Sequence, residues 1–267
     1  MKKPIFEMGA STCGNTILSK ELFDCFANVG INHMEISVKY DYYDEINWSN
    51  IKKYSMDSGV ELSSLHLPFH HDFNNPAHLE KDVRGRTLEK DTKLMQAAAE
   101  IGIGVAVIHA SGEPIKNEHR PESMKHCKES LAILNERANR LGIVLAVENL
   151  PRTCLGNTSK ELQEIISEIP DLRVCFDVNH LLCETHKSFV ENIGSKIITT
   201  HISDYDFVDE KHWLPGRGKI NWDDLIDLLA SINYGGPFMY EVVINYDEVE
   251  PLLIYKKLKE NYKMLFS

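Results

Sequence analysis

The chain has 267 residues, of which 43% are hydrophobic and 26% charged, and this composition excludes an intrinsically disordered protein. Its 29 basic and 40 acidic residues give a net charge of −11, which argues against a non-specific nucleic-acid binder or a protein held on an anionic membrane. No apolar run approaches the roughly 20 residues of a membrane span, and the two N-terminal lysines precede no apolar signal-peptide segment.

A repeated pattern along the chain predicts the strands. An amphipathic stretch ends at a glycine, which suits the left-handed turn after a helix, and a short apolar run follows. This occurs at Gly30, Gly59, Gly102 and Gly142. Because the runs are apolar on both faces, they are typical of buried parallel strands. We predict eight strands, near residues 6–11, 33–37, 61–66, 105–110, 144–149, 173–177, 197–201 and 238–242.

Helix-capping signals lie between several of these strands. The signals are Ser19 before Leu22 and Phe23, Pro121 in a first turn, Thr158 with Glu161, and Asn221 with Asp224. Strand and helix therefore alternate about eight times, which predicts a single (β/α)8 barrel spanning residues 1–267. A doubly wound open sheet is the alternative, but its glycine-rich phosphate loop is only poorly matched by GASTCGN at residues 9–15.

The predicted strands end on residues that can bind a metal or transfer a proton. Seven of the eight finish on a carboxylate or an imidazole, namely Glu35, His66, His109, Glu148, Asp177, His201 and Glu241. All these ends meet at the same face of a parallel barrel, which is the catalytic face. Converging buried carboxylates repel one another and have raised pKa values unless a cation neutralises them. The sequence therefore predicts a divalent metal site.

The residues at this face differ in the role we expect. The expected ligands are Glu148, Asp177, His201 and Glu241. We interpret Glu35 as a structural carboxylate, whereas His66 and His109 are either ligands or hydrogen-bonded histidines at the barrel mouth. His180 follows Asp177 by three residues and is expected to contact the substrate.

Seven short motifs occur in order at the strand ends: SLHLPFH, VIHASG, VENLPR, CFDVNH, THISDYD, KHWLPGRGKINW and YEVV. Together they resemble the xylose-isomerase-like TIM barrel superfamily. That superfamily contains sugar and sugar phosphate isomerases and epimerases, inosose-processing enzymes and zinc AP endonucleases. Each motif alone is weakly specific, but their order along nearly the whole chain supports the superfamily.

Similarity to the tagatose and psicose epimerases implies an active site. It implies one divalent ion held by Glu148, Asp177, His201 and Glu241, with Mn²⁺ expected and Zn²⁺, Mg²⁺ or Co²⁺ as alternatives. Glu148 and Glu241 would then move a proton between adjacent carbons of a small carbohydrate through an enediolate. The expected substrate contacts are His66, His109, His180, His212 and Arg217, and Arg217 would allow a sugar phosphate.

Two other functions remain open at this point. His212 lies where those epimerases often have arginine, and together with His66 and His109 it resembles zinc ligands of the AP endonucleases. A zinc-dependent AP endonuclease-like phosphodiesterase is thus one alternative, although basic residues near the motifs are few and we expect no nucleic-acid partner. A metal-binding barrel subunit without isomerase activity is the other. We expect no membrane partner, and a homo-oligomer remains open.

The six cysteines include no Cys-x-x-Cys pair. Scattered cysteines of this kind are typical of reduced thiols, so we expect a cytoplasmic protein.

Overall fold

The computed structural model describes residues 5–13, 17–243 and 251–267. The strands are β1 Met8–Ser11, β2 His33–Ile36, β3 Glu61–His66, β4 Val105–His109, β5 Val144–Glu148, β6 Arg173–Asp177, β7 Ile197–His201 and β8 Phe238–Tyr240. The helices are α1 Lys20–Val29, α2 Trp48–Ser58, α3 Lys81–Glu100, α4 Arg120–Leu141, α5 Ser159–Ile166, α6 His186–Ile193, α7 Trp222–Ser231 and α8 Pro251–Leu265. Two 3-10 helices, Tyr40–Glu45 and Gly194–Lys196, precede α2 and β7. All eight predicted strands are confirmed, although Glu241 lies one residue beyond β8.

The strands form a parallel barrel. Their order is β7-β6-β5-β4-β3-β2-β1-β8, so neighbours along the chain are also neighbours in the sheet. A short bridge closes the ring between β7 and β8, where the Ile202 N–H donates to the Met239 carbonyl (2.8 Å) and the Glu241 N–H donates to the Ile202 carbonyl (3.0 Å). The predicted (β/α)8 barrel is confirmed, and the doubly wound alternative is excluded because the strand order never reverses. Residues 1–4, where the sequence predicted no signal peptide, lie outside the described residues. The last two residues of the GASTCGN segment also lie outside them.

Most of the predicted helix signals are confirmed. The capping or first-turn residues are Pro121, Thr158 and Asn221. Ser19 occupies the cap position of α1, but its side chain accepts no hydrogen bond from the helix. The Glu161 carboxylate does not return to Thr158; it binds Arg120 and the N–H of Gly156 instead. This salt bridge ties α5 to the start of α4 rather than closing a capping box. Among the described helices, none has the length and apolarity needed to cross a membrane.

Two layers of apolar side chains support the face at which the strands end. The large core lies between strands and helices, and a small inner cluster of Val107, Ala146 and Cys175 fills the barrel itself. All three inner side chains are fully buried. The strand ends therefore stand on a packed interior rather than over an open pore.

One buried carboxylate shapes the long loop between β7 and α7. Asp204 is fully buried, and its Oδ1 accepts hydrogen bonds from the N–H groups of Tyr205 (2.9 Å) and Ile220 (3.2 Å). Its Oδ2 accepts from the Gly216 N–H (2.7 Å) and from Trp222 Nε1–H (3.0 Å). These four bonds fold the loop back onto α7. They fix the part of the chain that carries Glu210 and His212.

We expect Asp204→Ala to lower the free energy of unfolding by about 3 kcal/mol or more, because four donors, three of them in buried hydrogen bonds, lose their acceptor at once. The measurement is urea denaturation followed by circular dichroism. Asp227→Ala, on the exposed face of α7, is the control and should change stability by less than about 0.5 kcal/mol. A loss below about 1 kcal/mol in the Asp204 variant would contradict this role.

Candidate metal centre and active site

A cavity of about 470 Å³ opens at the carboxyl ends of the strands. The predicted site residues that line it are His66, His109, Glu148, His180, His212 and Glu241. Asp177 and His201 are fully buried behind its wall. Arg217 is not brought to the cavity. Its turn, closed by the Arg217 N–H donating to the Leu214 carbonyl (3.0 Å), leaves the side chain exposed to solvent, which corrects the expected substrate contact.

Glu148 is the centre of the site. Its Oε2 lies 3.1 Å from His66 Nε2 and 3.2 Å from His109 Nε2. Its Oε1 lies 3.2 Å from His201 Nδ1 and 3.4 Å from His180 Nδ1. Burial raises the pKa of the Glu148 carboxyl, but the neighbouring histidines outweigh burial and hold that pKa well below its usual range. Glu148 is therefore an ionised carboxylate. It is surrounded by histidines from β3, β4, β7 and the loop after β6.

Asp177 provides the clearest sign that a cation belongs here. Its Oδ1 accepts the Asn179 N–H (2.6 Å), but its buried Oδ2 accepts no hydrogen bond. That oxygen lies 3.5 Å from His180 Nε2 and 3.9 Å from His201 Nδ1. Burial raises the pKa of Asp177 to about 7. A buried carboxylate oxygen without a partner is costly, and a bound cation would compensate it.

Two of the histidine rings each have one nitrogen anchored by a hydrogen bond, which directs the other nitrogen toward this region. His66 Nδ1 donates 2.8 Å to the carbonyl of the next residue, which leaves Nε2 facing Glu148. His201 Nε2 donates 3.0 Å to Glu35 Oε1, which leaves Nδ1 facing the carboxylates. Glu35 itself accepts the Ser64 hydroxyl (2.7 Å) and thus orients His201 rather than entering the cluster. Fixing one ring nitrogen so that the other is free is typical of metal-binding histidines.

Within the described residues, five overlapping sets of donor atoms each lie close enough to hold an ion, and three of these sets together include every residue of the cluster except Cys175. The predicted set is Glu148, Asp177, His201 and Glu241. The second set is His66, His109 and Glu148, and the third is His180, Glu210 and His212. In each set the donor atoms lie within 4.8 Å of one another. These residues fit a divalent metal centre, and they provide more donors than one ion requires.

Arg152 holds one member of the third set in place. Its guanidinium binds the carboxylates of Glu113, Asp209 (2.8 Å) and Glu210 (3.0 Å), which belong to two different loops. The other oxygen of Glu210 lies 3.3 Å from His180 Nε2. Burial raises the pKa of Glu210, but His180 and Arg152 outweigh it and lower that pKa to about 2. The sequence interpretation assigned neither Glu113 nor Arg152 a role, although Arg152 ends the VENLPR motif.

Most of the other residues that line the cavity were not predicted, and three of them bear on its chemistry. They are Cys13, Tyr40 and Phe69. Burial raises the pKa of Cys13 well above its usual range, so its thiol is protonated and is no candidate nucleophile. Phe69 stacks on His109 with ring centroids 4.0 Å apart. Its position in SLHLPFH, three residues after the strand end, was the available signal.

Comparison with known proteins identifies similar sequences. A family model described as xylose isomerase-like TIM barrel matches residues 23–260. An uncharacterized protein of Methanocaldococcus jannaschii, MJ1311, is 31% identical over 186 residues. This match covers 66% of the present chain and 63% of the relative, which is less than two thirds of that protein's length. A putative L-ribulose-5-phosphate 3-epimerase of Haemophilus influenzae, SgbU, is 24% identical over 82% of the present chain and 81% of the relative.

Solved structures share the architecture. A D-tagatose 3-epimerase-like protein superposes with a TM-score of 0.81 at 24% identity, covering 97% of the present chain and 98% of that chain. D-Psicose 3-epimerase of Clostridium cellulolyticum H10 superposes with a TM-score of 0.81 at 16% identity, with the same coverage. At these identities the likeness concerns the fold.

Proposed function

The chain belongs to the xylose isomerase-like TIM barrel family, and we propose that it is a metal-dependent isomerase or epimerase of a small carbohydrate. Similarity to the putative 3-epimerase SgbU over most of both chains supports the reaction class. The donor sets at the barrel mouth support the need for a metal. Three carboxylates and one imidazole favour Mn²⁺ in the predicted set, with Mg²⁺, Co²⁺ or Zn²⁺ as alternatives.

The observation that carries the proposal is the placement of Glu148 and Glu241 around His201. Their carboxylates lie 3.2 and 3.3 Å from His201 Nδ1. Glu148 ends β5 and Glu241 follows β8, which are three strands apart around the ring of eight. The two carboxylates therefore reach the cavity from well-separated strands. A protein that only binds a ligand does not need two bases placed in this way.

The proposed reaction moves one proton. One glutamate removes a proton from the carbon beside the substrate carbonyl, which gives an enediolate, and the other returns a proton to the opposite face or to the neighbouring carbon. His180, held by its Nδ1–H on the Asn149 carbonyl (2.9 Å), and His212 line the cavity where substrate hydroxyls would bind. Glu148, Asp177, His201 and Glu241 would hold the divalent ion. When bound, the ion would stabilise negative charge that develops on the substrate oxygens.

A zinc-dependent phosphodiesterase of the AP endonuclease type is the second candidate. The observation that favours it is the presence of the second and third donor sets beside the predicted one. Charge argues against it. Among the described residues that line the cavity, Lys39 is the one lysine and Arg152 the one arginine, and Arg152 is already bound by three carboxylates. Duplex DNA needs more basic contacts than this.

We place the chain in the cytoplasm as one barrel domain, without a nucleic-acid or membrane partner, and leave a homo-oligomer open. The six cysteines, all within the described residues, form no disulfide, which supports a reducing compartment.

Solvent isotope exchange tests the proposed reaction. The Mn²⁺-loaded protein is incubated in D₂O with a panel of ketopentoses, ketohexoses and glycosides that carry a free ketone, and the products are followed by NMR. We expect deuterium on the carbon next to the carbonyl, together with a new epimer or isomer, and no exchange after chelation. Metal-dependent nicking of an abasic duplex by the same preparation, with no exchange on any sugar, would replace this proposal with the second candidate.

A further inference from the structure

We propose that an aromatic ledge at the cavity mouth binds an uncharged ring carried by the substrate. The ledge consists of Tyr40, Phe69, His70 and Phe73. The substrate is therefore a ring-bearing sugar conjugate, such as a glycoside that keeps a free ketone elsewhere on the sugar, rather than a free sugar or a sugar phosphate. This inference rests on the proposed function, since it names the substrate class of the same site.

The ledge is continuous with the metal-binding donors. Phe69 lies nearly parallel to His109 (4.0 Å between centroids, 20° between planes), and His109 Nε2 lies 3.2 Å from Glu148 Oε2. The Phe69 ring is thus one imidazole away from the proposed reaction centre. Tyr40 also lines the cavity, and its ring centroid lies 5.4 Å from that of His70. Phe73 stacks on His70 at 4.4 Å and extends the ledge outward.

Two phenyl rings of the ledge remain exposed although their loop is held firmly. Phe69 is 51% exposed and Phe73 is 53% exposed. In the same loop, His70 and Asn74 exchange two backbone hydrogen bonds (3.0 and 3.1 Å). The Asn74 side chain also donates to the Pro68 carbonyl (2.6 Å) and to Asp91 Oδ1 on α3 (3.1 Å). Because the loop is fixed in this way, it presents the rings for a ligand to cover rather than turning them inward.

The side chains near the ledge favour an uncharged ring over a phosphate. Four carboxylates line the cavity, from Glu113, Glu148, Glu210 and Glu241. The described lining contains one lysine, Lys39, and one arginine, Arg152, whose guanidinium is bound by carboxylates. Arg217 is exposed to solvent and is not part of that lining. The two exposed phenyl rings offer apolar faces that suit a ring better than an anion.

The size of the cavity agrees with a ligand larger than one sugar ring. Its volume of about 470 Å³ lies within the roughly 300–1,000 Å³ of pockets that hold drug-sized ligands.

Calorimetric binding to the Mn²⁺-loaded protein tests the ledge. The probes are 4-nitrophenyl β-D-glucoside, methyl β-D-glucoside and D-glucose 6-phosphate. We expect the aryl glucoside to bind at least tenfold tighter than the methyl glucoside. Phe69→Ala and Phe73→Ala should remove most of that advantage. Phe207→Ala, which truncates a phenyl ring that is 43% exposed outside the cavity, should leave it unchanged.

Several results would overturn the inference. Equal affinity for the two glucosides, tighter binding of the phosphate, or a tenfold preference for single-stranded DNA would each do so. Circular dichroism of the phenylalanine variants checks that they fold. Proton exchange on ketoses together with equal affinity for the two glucosides would leave the proposed function standing and refute the ledge. Loss of the aryl preference in that variant, with no exchange on any sugar, would support the ledge and refute the proposed function.

Discussion

Chelation is expected to abolish turnover, and added Mn²⁺ is expected to restore it. Asp177 and His201 would each supply a ligand atom, so Asp177→Asn and His201→Ala should weaken metal binding by at least about tenfold. The measurement is metal content by elemental analysis together with titration by calorimetry. Asp227→Asn, an exposed carboxylate on α7, is the matched control. Full metal retention by both site variants would contradict the ligand assignment.

The number of bound ions separates the two candidate functions. The donor set of Glu148, Asp177, His201 and Glu241 accounts for one ion. The sets that contain His66 and His180 would add a second and a third. One ion per chain supports the epimerase-type reaction, whereas three tightly bound zinc ions favour the phosphodiesterase.

The effect of the metal on stability should depend on pH. Burial raises the pKa of Asp177 from the usual 3.8 to about 7. Without an ion, the proton on Asp177 stabilises the fold fully below about pH 4, and this contribution is lost as the pH rises through 7. A bound cation takes the place of that proton. The gain in melting temperature on adding Mn²⁺ should therefore be larger at pH 8 than at pH 5.5.

The strand ends could be predicted from sequence because they follow from local chemistry. A short apolar run after a glycine indicates a buried parallel strand, and a polar residue at its end must face the open rim. Glu148, Asp177 and His201 end their strands as predicted, and Glu241 lies one residue beyond β8. The parallel geometry of the barrel then brings these residues together without further information.

The loops could not be predicted in the same way. Arg217 of the KHWLPGRGKINW motif was expected to contact the substrate, but it is exposed to solvent and does not line the cavity. Phe69 reaches the cavity because the β3–α3 loop is pinned by Asn74 to Asp91, which lies on a separate helix. Such long-range hydrogen bonds leave no periodic pattern in the sequence. For the same reason, the bracing of Glu210 by Arg152 became visible only in the structure.

The two glutamates are not expected to tolerate substitution equally. Glu148 contacts four histidines, whereas Glu241 Oε2 lies 3.3 Å from His201 and 3.8 Å from His212. Replacing Glu148 by Gln should therefore weaken metal binding as well as remove a base. Glu241→Gln is the cleaner test, since it removes the base while it disturbs fewer neighbours.

Glu148→Gln and Glu241→Gln should each lower turnover by roughly 10²–10⁴-fold, the usual range for general acid or base groups. Metal content must be measured on the same samples, and exposed Glu164→Gln is the control that should retain full activity. If the two carboxylates act on opposite faces of the substrate, a variant that keeps one base can still exchange a proton with D₂O without completing epimerisation. Turnover without any solvent exchange in the unmodified protein would instead indicate a hydride shift between carbons. Undiminished turnover in both glutamine variants would remove the proposed proton transfer altogether.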